Sequence, residues 1–440
     1  MFVLLIKRNL VVGFFILFSL TLSAQKEVQQ LSLSQLLDSA LQNNYLLQAN
    51  EKNTQIKQAE IEILRTNYLP QISASANVSF WKFLLPNKER LLGNTLTDVY
   101  NDISVTQTIY DWGENNLKKE MVGDEVALND ELRSQIRSSV IWGVSDAYFE
   151  TLKTKSEIEV HQNSLNQLHS HLQYAENLYK IGKVSGVDVL KINVQISVEE
   201  KALQKAQNVL LAQQIRLKRL CNLGEGAEFT LVNKSDSLFA TRIEQIFNAP
   251  QLYTVAYTNH PALAAYDLKV NLETKQKEAY RLQSHPQIFS YALGSWEDGF
   301  IPFSNNFNYN IGAGIRYTIP YWGGSSFKVK MLQSDIKVEQ FADEKNQAFL
   351  EIKQEIETTL NEIEDRKTEV LNNEKIIRLA DETLKNAWVK YQAGQGTIVD
   401  VLDAESILTE TSIDWQKSKA AYLQALAKLH YLTGNEDYPF

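Results

Sequence analysis

The stretch Tyr391-Gln392-Ala393-Gly394-Gln395-Gly396-Thr397-Ile398-Val399-Asp400-Val401-Leu402-Asp403-Ala404 reads as a helix end, a reversal and a new helix start. Glycine lets the backbone turn where other residues resist, and Thr397 with Asp400 three positions on has capping-box spacing, in which hydroxyl and acid satisfy free amides. The same grammar occurs 212 residues earlier as Tyr179, Gly182, Ser185 and Asp188-Val189-Leu190. On either side of both reversals an apolar residue recurs at every seventh position. One ladder is Phe349, Ile356, Ile363, Val370, Ile377, Leu384 and Tyr391, and its return is Val401, Leu408, Trp415, Tyr422 and Leu429. The earlier copy runs Val144, Thr151, Ile158, Leu165, Leu172 and Tyr179, returning through Val189, Ile196, Leu203, Leu210 and Leu217, with Thr151 as its one polar rung. Such a seven-residue repeat is the seam of a coiled coil. Its second position is smaller and more polar (Thr359, Arg366, Asn373, Ala380, Ala387), which predicts mixed contacts and not a simple dimer stripe.

The duplication extends beyond the reversals. Ala40, Asn43, Pro70, Gln71 and Ile72 return 216 residues later as Ala256, Asn259, Pro286, Gln287 and Ile288. Ile109-Tyr110-Asp111-Trp112-Gly113 returns as Ile319-Pro320-Tyr321-Trp322-Gly323, 210 residues on. Several blocks in one order at nearly one shift predict two structural copies, 25–224 and 250–440, joined by a Gly-, Asn- and Ser-bearing linker at 225–249. Each copy is expected to run helix, strand hairpin, long helical hairpin. In the first, the helix covers about 33–69 and stops at Pro70, the strand hairpin about 71–110 and the helical hairpin about 114–221. In the second, the hairpins fall at about 287–319 and 325–432, followed by a short tail that, with the linker, is expected to form a small side structure. The outgoing helices, 114–181 and 325–393, are each long enough to span roughly 100 Å at 1.5 Å per residue.

Two strand segments alternate strictly, and two weaker candidates lie at 100–110 and 287–296. From 71 to 81 the even positions are Ile72, Ala74, Ala76, Val78 and Phe80, and from 307 to 319 the odd positions are Phe307, Tyr309, Ile311, Ala313, Ile315, Tyr317 and Ile319. One apolar and one polar face fit either a soluble sandwich or a barrel with lipid outside and water inside. Aromatics at the strand ends (Trp81, Tyr100, Tyr110, Trp112, Trp296, Trp322) suit an interfacial girdle, and equally core packing. Four strands cannot close a membrane barrel, and open edges are not tolerated in hydrocarbon, so membrane strands here require several chains to share one barrel. Two chains would supply eight strands and three would supply twelve. Trp-Gly at 112–113 and 322–323 marks the expected strand-to-helix junctions.

Lys7 and Arg8, an apolar run over 10–22 and small residues Ser23 and Ala24 make 1–24 a secretory signal peptide, the other reading being a retained anchor. A net charge of -9 speaks against nucleic acid as a partner, since phosphate binding needs a basic face. Cys221 is the single cysteine and is expected as a buried filler. His169 and His171 lie two apart on a helix and point to different faces, so no metal or cofactor site is expected, nor any catalytic cluster.

With its repeated Pro-Gln-Ile starts, its Tyr-Asp-Trp-Gly and Tyr-Trp-Gly-Gly junctions and the 391–404 block, the chain resembles the TolC family of outer-membrane efflux and secretion channels over nearly its whole mature length. The resemblance implies a mostly α-helical fold with a membrane β-barrel: a homotrimer with a twelve-stranded barrel among outer-membrane lipid and a helical tunnel through the periplasm. It implies docking to a periplasmic adaptor and an inner-membrane transporter, in efflux or type I secretion. By the same resemblance Asp400 and Asp403 form acid rings narrowing the periplasmic mouth, and Tyr391 and Asp188 match tip contacts that hold the best-known member closed. Gly396 stands where that member has an arginine, so the same latch cannot form, and Lys183 or Lys191 are candidates for other closing contacts. Capping is the simpler reading of Asp188 and Asp400, whereas Asp403, whose counterpart is Lys191, is not explained by it. The competing reading is a periplasmic coiled-coil scaffold or adaptor with a soluble β domain. Drug, metal and protein cargo all fit the same duct.

Overall fold

The computed structural model describes residues 29–82, 95–224, 226–233, 235–298, 306–317 and 326–435. The expected signal peptide, the tips of both strand hairpins, the Trp322-Gly323 junction and the last five residues lie outside that set. In chain order the first copy comprises β1 (Gln29–Leu31), α1 (Leu33–Asn43), α2 (Tyr45–Thr66), β2 (Gln71–Lys82), β3 (Thr95–Tyr110), α3 (Glu114–Lys180) and α4 (Gly186–Leu220). The connecting segment holds β4 (Phe229–Leu231) and α5 (Ser235–Arg242). The second copy comprises α6 (Ala249–Asn259), α7 (Pro261–Gln283), β5 (Gln287–Asp298), β6 (Asn306–Arg316), α8 (Ser326–Gln392) and α9 (Ile398–Leu432).

The helix expected over 33–69 is two helices. Asn44 is extended (φ -74°, ψ 118°) and its side chain accepts from the amides of Leu46 and Leu47, ending α1 and capping α2. The second copy breaks at the equivalent place. His260 is extended, its ring accepts from the Ala262 amide at 3.3 Å, and Pro261 occupies the first turn of α7, where a missing N–H costs nothing.

The four long strands form one antiparallel sheet in the order β2-β3-β5-β6. Its register aligns the alternation of every strand: Ile72 pairs with Val105, Val105 with Ala292 and Ala292 with Ile311. The next row over is Ser73, Ser104, Leu293 and Asn310. One face is therefore mostly apolar, interrupted by Asn101 between Ala76 and Trp296 and by the Gln107–Ser290 pair. The other carries Ser73 bonded to Ser104 at 2.7 Å and Ser75 bonded to Asp102. On that polar face the rings of Phe289 and Tyr291 lie over Gly314 and Gly312, where a Cβ would come within 2.9 and 2.8 Å of them. Among the described residues no second layer covers the apolar face: Phe80 is 82% exposed and Ile311 75%. A soluble sandwich would cover it. The outer edges of β2 and β6 are unpaired among the described residues.

At the junction below β3 the chain turns through two left-handed residues, Trp112 (φ 59°) and Gly113 (φ 85°). Asp111 holds this turn, accepting from the Tyr68 hydroxyl at 2.8 Å and from the amides of Gly113 and Asn115 at 3.0 Å. The Trp112 indole donates to the Pro286 carbonyl at 2.6 Å, tying one copy to the other. That network over-determines a backbone conformation that a tryptophan adopts only at a cost.

From there α3 and α8 run for 67 residues each, roughly 100 Å, and are paired by α4 and α9. The expected seam is the buried one: Ile356, Ile363, Val370, Leu384, Tyr391 and Val401 are all buried. Thr151, the polar rung, is buried too, its hydroxyl returned to the Ala147 carbonyl at 2.7 Å. Two cores result. The larger gathers at the waist around Leu36, Phe149, Leu217, Tyr422 and Leu423, and the second lies near the tips around Leu168, Ile192, Tyr391 and Val401. The 225–249 segment forms a side structure against the waist. Its β4 pairs in parallel with β1, while the tail lies outside the described residues, and Asp236 of α5 binds the buried ammonium of Lys419 at 2.5 Å. Cys221 is a buried residue ending α4, and burial pushes its thiol up to about 12.

Candidate functional site

Both reversals are built alike. Gly182 (φ 72°) donates to the Tyr179 carbonyl and Lys183 to Leu178, each at 2.9 Å. Gly394 (φ 71°) donates to Tyr391 at 3.0 Å and Gln395 to Lys390 at 2.9 Å. This pair of bonds closes a helix end only when the turning residue is left-handed, which is why glycine stands at 182 and 394.

The helix starts that follow differ. At α9 the Asp400 amide donates to Thr397 Oγ1 at 3.3 Å while the Thr397 amide donates to Asp400 Oδ2 at 2.9 Å, a complete capping box. The Thr397 amide, joined by the Thr397 hydroxyl, holds the Asp400 carboxyl below the usual range. At α4, Ser185 accepts from the Val187 amide at 3.2 Å, and Asp188 does not complete a box. Its carboxylate instead acts on Tyr391. Burial, then the Asp188 charge, raises the Tyr391 hydroxyl. Of the three acids and the tyrosine singled out from the sequence, the fold thus puts Tyr391 within reach of the Asp188 charge across the hairpins. Asp400 and Asp403 stay on the first turns of α9, both exposed.

Tyr391 is buried and its hydroxyl has no hydrogen-bond partner, whereas its counterpart Tyr179 is 54% exposed. Around Tyr391 sits an aromatic cluster: Trp388 at 5.8 Å between ring centroids and Tyr174 at 6.4 Å. Gly396 is a close approach, since a Cβ there would lie 3.2 Å from Lys390 Cβ and 3.3 Å from the Tyr391 amide nitrogen. Lys183 and Lys191 are exposed and make no ion pair within the chain among the described residues.

A second polar group near the tips was not anticipated. His161 and Glu199 are bonded at 2.6 Å and Glu405 and His171 lie close by, all four buried. His161 and Glu199 stand three residues past the seam positions Ile158 and Ile196, so asking where the seam carries charge would have found them. No group of three or more acidic, histidine or cysteine side chains among the described residues is arranged to hold a metal ion. No described helix is long and apolar enough to cross a membrane.

Residues 36–223 match the family model described as outer membrane efflux protein. The outer membrane efflux protein BepC of Brucella suis is 22% identical over 393 residues, 87% of this chain and 82% of BepC. The alkaline protease secretion protein AprF of Pseudomonas aeruginosa is 21% identical over 344 residues, covering 76% of this chain and 69% of AprF. Among solved structures, CusC, described in terms of transmembrane channel formation, superposes with a TM-score of 0.76 at 16% identity, covering 95% of this chain and 96% of CusC.

Proposed function

We infer that the chain is a TolC-like outer-membrane channel of the outer membrane efflux protein family, extending into the periplasm, and we propose that three copies form a passive exit duct. Each copy contributes its four strands to one twelve-stranded barrel and its two helical hairpins to the tunnel wall. The observation that carries this is the sheet: mostly apolar and uncovered on one face, open at both edges among the described residues, and set at the end of hairpins about 100 Å long. A lipid-exposed sheet is stable only when its edges meet other strands, and copies of the same chain supply them.

The tunnel's periplasmic mouth is the hairpin tips. Asp403 and Asp400, repeated by symmetry, place six carboxylates around it, a field that favours cations. The Asp188 charge reaches the buried Tyr391 across the two hairpins, and burial of Tyr391 between them helps hold the closed side together. A periplasmic adaptor and an inner-membrane transporter complete the path, for efflux or type I secretion. Support for partners of this kind comes from relatives named for efflux and for protease secretion.

The test is purification from membranes in detergent, unheated gels and planar bilayers. A heat-dissociable trimer that conducts ions is expected. A protein soluble without detergent that passes no ions would overturn the proposal and favour the scaffold.

A further inference from the structure

About 10 Å from the tip turns, a polar cluster is sealed into the seam between the two hairpins. Glu405 of α9 is 2% exposed, and it follows the seam residues Val401 and Ala404. Three groups face it from α3. Ser164 hydrogen-bonds the carboxyl, the Gln167 amide lies 2.7 and 2.9 Å from its two oxygens, and His171 Nε2 lies 4.0 Å from Oε2. From α4 comes the buried Glu199. From α8, Trp388 lies against the His171 ring, 3.9 Å between centroids. Glu157, Glu410, Asp414 and Lys417 stand around the same groove, with Lys417 paired to Asp414 at 3.6 Å.

The cluster buries two acids and offers Glu405 no cation. His161 is taken up by Glu199 at 2.6 Å. The ring nitrogens of His171 have no hydrogen-bond partner, and burial depresses its affinity for a proton, which favours the neutral ring. Burial, against the Ser164 hydrogen bond and with the Glu199 charge adding, pushes Glu405 up to about 7. An ionised carboxylate at this depth has only the neutral Ser164 and Gln167 to face and no cation, and it gains water only if α9 moves off α3 and α4.

We propose that Glu405 is a proton-operated clamp between the two hairpins: protonated, it lets α9 pack against α3 and α4, and ionised, it drives them apart near the tip. The clamp is a property of a single chain. Its consequence, a wider mouth at alkaline pH, rests on the reading of the chain as a duct. The packed form holds the Glu405 proton more tightly than an opened form, in which the carboxyl regains its ordinary value of 4.5. Opening therefore becomes easier as pH rises from 4.5 to about 7 and levels off above.

Hydrogen exchange on the full-length assembly in detergent tests this, with each rate divided by the unstructured rate at the same pH. Protection over 161–171 and 398–408 is expected to fall on the order of 50-fold between pH 5 and pH 8.5 in the wild type, and to stay level in Glu405→Gln. A level wild-type profile, or a Glu405→Gln profile that still falls, overturns the clamp. Should Glu405→Gln fail to assemble, Glu199→Gln carries the comparison: the fall must shrink once the neighbouring charge is gone, and an undiminished fall overturns the proposal. Conductance separates the two readings. Ion passage with level protection removes the clamp and leaves the duct, while a pH-dependent fall in a protein that passes no ions supports the clamp and removes the duct.

Discussion

Ile311 and Asn310 are neighbours on β6 that project to opposite faces of the sheet. Ile311 lies in the row Ile72, Val105, Ala292, all apolar, and Asn310 in the row Ser73, Ser104, Leu293. Both are exposed in the single chain, so a solvent-facing sheet would treat a lysine at either position alike. In a barrel they differ sharply. Ile311 is the middle residue of β6, near the bilayer midplane, where a lysine on the lipid face costs about 2–4 kcal/mol. Over three subunits that is roughly 6–12 kcal/mol, enough to prevent assembly, while a lysine at 310 faces lumen water and costs close to nothing. The assay is folding from urea into lipid vesicles, followed by unheated gels. Ile311→Lys is expected to lose the trimer band and Asn310→Lys to keep it and alter ion selectivity. Equal effects at the two positions would refute the assignment of faces and with it the barrel.

Asp403→Ala is expected to raise single-channel conductance and weaken cation preference. Asp400→Ala adds to both effects but also removes a capping box worth about 1 kcal/mol, so unchanged channel behaviour in the double variant takes these acids out of the mouth. Asn50 and Asn129 form a buried reciprocal pair, 2.9 Å from Asn50 Nδ2 to Asn129 Oδ1 and 3.0 Å from Asn129 Nδ2 to the Asn50 carbonyl. Asn129→Ala, which removes both side-chain bonds of Asn129 to Asn50 and leaves Asn50 Nδ2 only the carbonyl of residue 129 at 3.2 Å, should cost about 1–2 kcal/mol in urea denaturation, and a loss near zero would deny the pair a role in holding α2 on α3. Cys221, fully buried with its thiol pushed up to about 12, should resist maleimide at pH 8 in the folded protein and react promptly in urea. Labelling of the folded form would show that the waist core opens.

What could be read in advance followed from periodicity. The heptad ladders and the alternating strands are long, so one misplaced rung such as Thr151 did not hide them. The break at Asn44 was hidden because an asparagine between polar and apolar residues does not by itself stop a helix. The second copy held the clue, since Pro261 stands where Tyr45 does and proline at that place begins a helix. The β1–β4 pairing joins three-residue strands nearly 200 positions apart, too short to carry a pattern. At the tips, spacing located Asp188 and Asp400 and allowed a cap for both. Only the fold distinguishes them, because Ser185 turns to Val187 and leaves Asp188 to Tyr391. The buried acids escaped because the eye follows apolar rungs, and Glu199 and Glu405 sit beside the rungs.

The two hairpins of one chain are built on the same plan but finish differently, with Tyr391 buried and Tyr179 exposed, and with Asp400 completing a capping box that Asp188 does not. In a ring of three chains the silhouette repeats six times per revolution while the chemistry repeats only three. A six-membered collar of identical subunits meeting this rim would therefore find two kinds of seat in alternation. Its members must bind in two conformations, or bind with two strengths.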